Sequence, residues 1–162
     1  MTLQTQIVSL PKTAVVAARE CASVEALTGA RETLRAAARL PYSARHPETW
    51  LGRFTQHARA AQRDIEEYMA CATGPDSPVE KIIPRDPRLA GMLAQQRAEH
   101  VTLLQQSSQL CLDAAEPGEV DVWRMIDLGE KAILLEIALA RHSNRLQQLQ
   151  YESRLQGIRP AG

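Results

Sequence analysis

The sequence predicts an all-α protein, an antiparallel up-and-down four-helix bundle. Composition is the first observation behind this. Only 4% of the 162 residues are aromatic, and the excess lies in Ala, Leu, Gln and Arg. These are strong helix formers, whereas strand-favouring runs of Val, Ile, Tyr and Phe are missing. Periodicity is the second. Four long stretches repeat apolar residues at the spacing of one helix face. Punctuation is the third: Pro and Gly mark short links between the stretches, as an up-and-down bundle requires.

Residues 1 to about 17 show no helical period and read as an N-terminal arm. The bundle then spans residues 18–157, with 158–162 as a C-terminal tail. The first helix is expected from about Ser23, a plausible N-cap, to Leu40. Its inner face is Val24, Leu27, Leu34 and Ala38, and Pro41 stops it. The second starts at Pro47, where the missing N–H has no helical acceptor to lose. It carries Trp50, Phe54, His57, Ala61, Ile65, Tyr68 and Met69 inward to about Ala72. Gly74-Pro75 ends it. The link that follows has an apolar patch, Val79, Ile82 and Ile83, expected over the bundle end. Asp86-Pro87 starts the third helix as N-cap and first helical residue. "QQRAEHVTLLQQSSQL" lies within that helix, with Leu89, Leu93, His100, Val101, Leu103, Leu104, Leu110 and Cys111 in its apolar stripe. Asp121 caps the fourth, which reaches about Gln156 on a stripe of Met125, Leu128, Ala132, Leu135, Leu139, His142, Leu146 and Leu149.

Lys plus Arg and Asp plus Glu both number 19, for a formal net charge of 0. This excludes a broad nucleic-acid or anionic-membrane surface, which needs excess positive charge. No apolar run approaches bilayer length. The first residues lack the basic and apolar blocks of a secretory signal, so the expected location is cytoplasmic. Cys21, Cys71 and Cys111 are scattered and form no CxxC pair. They are expected as reduced, small hydrophobic residues. The phosphate loop, GxGxxG, GxSxG and HExxH are all absent. So is ExxH, the carboxylate–histidine pair of ferritin-like di-iron bundles. No enzymatic activity is expected.

Histidines are the remaining candidates for chemistry. His46 precedes Pro47 and reads as a cap or surface residue. His57, His100 and His142 each sit on the predicted inner stripe of a different helix. With a rise of about 1.5 Å per residue, His57 and His100 lie at about the same depth. His100 and His142 differ by roughly 10 Å when measured from the other end of the bundle.

"RDPRLAGMLAQQRAEHVTLL" resembles the third helix of bacterial hemerythrin-like (HHE) domains, with a PRLA-type start and a Glu-His pair followed by spaced leucines. "LLEIALARHSNRLQQLQYE" is similar to the fourth helix of a subset of them, with an Arg-His pair, an arginine three residues on and a later Tyr-Glu. The resemblance covers roughly residues 20–156. It implies a hemerythrin-like bundle with a di-iron centre held by histidines and by carboxylates one turn beyond a histidine. Those carboxylates cancel metal charge that neutral imidazoles cannot. His100 and His142 match histidine positions of that pattern. Leu146 stands where a carboxylate would follow His142. On helix two the expected histidine position falls near Tyr68, with Ala72 or Thr73 at the carboxylate position, and helix one has no histidine. Glu99, Glu136 and Asp64 lie near the stripes without the required spacing.

The metal-ligand candidates are therefore His100, His142 and His57, as a vestigial rather than an occupied set. The expected function is a non-catalytic interaction or scaffold module that has lost its di-iron site. It would act with a protein partner or as a homodimer, and without a cofactor. One alternative is a metal-binding or oxygen-responsive protein using iron or a single divalent metal on the reduced histidine set. Another is a bundle that binds a small apolar ligand. Exchanging His100 and His142 for leucine is expected to leave stability unchanged or raised.

Overall fold

The computed structural model describes residues 12–73, Ser77 and residues 86–156, with side chains from Glu25 to Leu155. Among them are four α-helices and one 3-10 turn, with no strand. The helices are α1 Lys12–Ala38, α2 Pro47–Ala72, α3 Ala90–Ala115 and α4 Val122–Gln156. α1 packs against α2 and α4, and α3 packs against the same two.

α1 begins at Lys12, eleven residues ahead of the expected start at Ser23. "TAVVAARECAS" contains no glycine or proline, and its alanines favour helix strongly enough to extend the element through a serine that would otherwise cap it. Residues 12–17 of the expected arm therefore belong to the helix. α2 begins with Pro47, as expected, but the His46 side chain makes no capping bond and is exposed. At its far end the Thr73 hydroxyl donates to the Met69 carbonyl at 2.8 Å. Asp86 accepts the Arg88 N–H at 3.2 Å. The chain then makes a 3-10 turn, Pro87–Leu89, before α3 proper. Asp121 caps α4 by accepting the Arg124 N–H at 2.8 Å.

One apolar core runs through all four helices, with Leu34, Phe54, Leu103 and Leu139 among its buried residues. A smaller cluster, Leu89, Leu93 and Leu149, joins the start of α3 to α4. All eight residues of the expected α4 stripe are buried. α2 differs at one place. Its buried row runs Trp50, Phe54, Ala58, Ala61, Ile65, Tyr68 and Met69, so Ala58 takes the place expected for His57. The row continues by four residues from Phe54, and that step lands on Ala58. On α3 Val101 is 56% exposed, against expectation, while Gln96 and Ser107 are buried in the row with Leu93, His100, Leu103 and Leu110.

Ion pairs tie the helices together at their rims. Arg31 Nε and Arg35 Nη2 of α1 meet Glu136 Oε1 of α4 at 3.0 and 2.7 Å. Lys131 Nζ of α4 reaches Asp113 of α3 at 2.8 Å. Such part-exposed pairs contribute a few tenths of a kcal/mol each and serve mainly to fix orientation. Cys71 and Cys111 are free thiols, and burial pushes the Cys111 thiol up from its ordinary range. The side chain of Cys21, the Gly74-Pro75 break, the patch at Val79, Ile82 and Ile83, and residues 158–162 lie outside the described residues. No described helix is long and apolar enough to cross a membrane.

Candidate functional site

The inward rows of α2, α3 and α4 meet in a cluster of three rings. Tyr68 of α2 stands edge-on to His100 of α3, with ring centroids 5.8 Å apart. It stands edge-on to His142 of α4 at 5.5 Å. The two imidazoles are 4.9 Å apart. Edge-to-face contact at these separations suits rings with a positive rim and a negative face. All three residues are buried.

His142 is the centre of the polar contacts. Its Nδ1 lies 3.0 Å from Glu99 Oε2. Its Nε2 lies 2.7 Å from the Tyr68 hydroxyl and 3.1 Å from the Gln96 side-chain nitrogen. Glu99 in turn pairs with Arg145, which sits nearly one turn beyond His142 on α4. The partners decide the tautomer: a carboxylate only accepts, so Nδ1 carries the hydrogen and Nε2 accepts. The Tyr68 O–H then donates to Nε2. The result is a chain Arg145–Glu99–His142–Tyr68 that runs from the rim of the molecule into its core.

Burial controls the charges along that chain. It pulls the His142 pKa down to about 4, so the ring is neutral at pH 7. The same burial pushes the Tyr68 phenol up to about 12, which keeps the hydroxyl protonated as a donor. A neutral imidazole between a carboxylate and a phenol is held in one tautomer and one orientation. With Nδ1 protonated and Nε2 accepting, both ring nitrogens of His142 are engaged by protein groups.

Of the three expected ligands, His100 and His142 are brought together and His57 is not. Tyr68, eleven residues or about 16 Å further along α2, occupies the matching depth. His57 lies half-buried outside the inner row. Among the described residues, no group of three or more His, Cys, Asp or Glu is placed to hold a metal ion. Leu146, one turn beyond His142, is part of the core. The acids near the stripes serve elsewhere. Glu136 pairs with the α1 arginines. Asp64 lies against Gly29, where a Cβ would come within 3.2 Å of its Oδ2. Gln96 was not anticipated. Its signal in the sequence is a polar residue four before His100, on the same helix face and inside a leucine row.

Comparison with protein-family models, curated proteins and solved structures gave no match for this chain.

Proposed function

We propose that this chain is a hemerythrin-like, antiparallel up-and-down bundle whose former metal site has become a hydrogen-bonded core, and that it acts as a non-catalytic interaction or scaffold module. The helix directions are supported by cross-helix pairs. Gln62 meets Ser108, and further along α2 Tyr68 meets His100, which lies earlier on α3. Asp113 meets Lys131, and earlier on α3 Glu99 meets His142, which lies later on α4. In both cases one strand of contacts advances while the other retreats, which is the behaviour of antiparallel neighbours.

The observation that carries the reading is the closed coordination of His142. A metal at this ring would have to displace either Glu99 or the Tyr68 hydroxyl. The donors around it do not fit a di-iron centre, which needs several anionic oxygens to offset two cations in a dry interior. Here the nearby acid is Glu99, and Arg145 already shares its charge. Tyr68 stands near the position where the resemblance implies a histidine, and burial keeps its hydroxyl protonated.

Anaerobic loading with ferrous iron followed by air tests this. The expected result is iron well below two per chain and no oxo-to-iron absorption band. Two irons per chain, with a band that disappears in His142→Leu, overturns the reading. A second reading, one divalent ion on a reduced ligand set, is favoured by the 4.9 Å separation of the two imidazoles. Elemental analysis of protein purified without chelators separates the two. One zinc or nickel per chain, lost in His100→Leu, supports the second.

A further inference from the structure

α4 has two faces. One carries the buried row Leu128, Ala132, Leu135, Leu139 and His142. The opposite one carries exposed apolar residues at its centre: Leu134 is 65% exposed, Ile133 47% and Ile137 38%. The exposed row advances by alternate steps of three and four residues, the spacing of a helix-pairing seam. Glu130 and Arg141 continue it on either side of the apolar centre, both exposed. Trp123, 74% exposed, and Tyr151, 62% exposed, lie towards its ends. An apolar centre within a polar rim is the anatomy of an interface.

From this we propose that two copies of the chain pair antiparallel through the outer face of α4. A two-fold axis between Leu134 and Ile137 sets each of these opposite the other across the interface. The same axis sets Glu130 opposite Arg141 of the partner subunit, twice by symmetry. Asp127, which already holds Lys131 Nζ of its own helix at 2.7 Å, then faces Asn144 of the partner subunit, an acceptor opposite a donor. A parallel, in-register pair would set glutamate on glutamate and arginine on arginine. Charge complementarity therefore selects both the partner, a second copy, and its direction. Within one chain Glu130 and Arg141 are eleven residues, or about 16 Å, apart along the helix. Any coupling between them must pass across the interface. The pairing names a partner for the interaction-module reading, but its residues are separate from the histidine cluster. Failure here leaves the iron result intact, and the reverse also holds.

Sedimentation equilibrium of the full chain over a range of concentrations tests it, with circular dichroism to check that each variant folds. The wild type is expected as a concentration-dependent dimer. Leu134→Glu is expected to raise the dissociation constant by about tenfold or more, because it places a charge at the apolar centre. E130R and R141E are each expected to weaken association, because each sets like charges face to face. The double exchange E130R/R141E is expected to restore it to within about threefold of the wild type. A monomer at every concentration overturns the proposal. A dimer indifferent to Leu134→Glu, or single reversals that the double variant does not rescue, overturns it as well.

Discussion

His142 shows how one side chain can couple burial to pH. Its folded pKa is depressed to about 4 from 6.5, so an unfolded chain takes up a proton there at pH values where the folded one does not. Between these limits stability rises with pH, since the unfolded state binds more protons. The contribution is complete above about pH 6.5 and is lost progressively as pH falls towards 4. Denaturant midpoints measured across that window should decline for the wild type and decline less steeply for His142→Leu. At neutral pH the leucine variant should be less stable than the parent by about 1–3 kcal/mol, the usual cost of leaving a buried polar partner unsatisfied. The sequence alone leads to the expectation that exchange of both histidines is neutral or stabilising; the hydrogen-bonded network predicts a loss for His142 instead. Without the ring, the Tyr68 hydroxyl and the inner oxygen of Glu99 both lose a partner.

At the scale of elements, the link between α3 and α4 is held by one arginine. The Arg124 guanidinium donates to the carbonyls of Asp113, Glu116, Gly118 and Glu119. It thereby ties the end of α3, which leaves carbonyls without helical partners, to the start of α4. Gly118 lies within this link at φ +148, where a side chain would be strained. Arg124→Ala should cost about 1–2 kcal/mol, given several charge-assisted bonds in a part-exposed setting. Amide exchange should accelerate around residues 116–121. Unchanged exchange there would mean that the link is held by its own backbone.

Taken whole, the molecule has one principal core to which all four helices contribute. Loss of one side chain at its centre should therefore weaken every helix together. Leu139 is fully buried, and Leu139→Ala should cost about 2–5 kcal/mol. Near- and far-ultraviolet circular dichroism should still report a single coincident transition, displaced as a unit. Separate transitions would show that the helices unfold as smaller groups.

Sequence by itself determined the class of fold and most of its boundaries. The bounds of α2, the caps at Asp86 and Asp121 and the buried row of α4 follow from local rules: proline at a first turn, a short acid before it, leucines at helical spacing. These depend on neighbours a few residues away, so one chain suffices to reveal them. Local rules failed where two choices lay one step apart on a helix. His57 and Ala58 differ by about 100° around α2, and Val101 lies the same step beyond His100 on α3. Packing against the other helices settles such a choice. Tertiary structure alone decided the site. The distance from Tyr68 to His142 spans 74 positions in the chain. Whether an imidazole meets a phenol, a carboxylate or a metal depends on the depth at which three helices align, and that depth is set by the packing of all four.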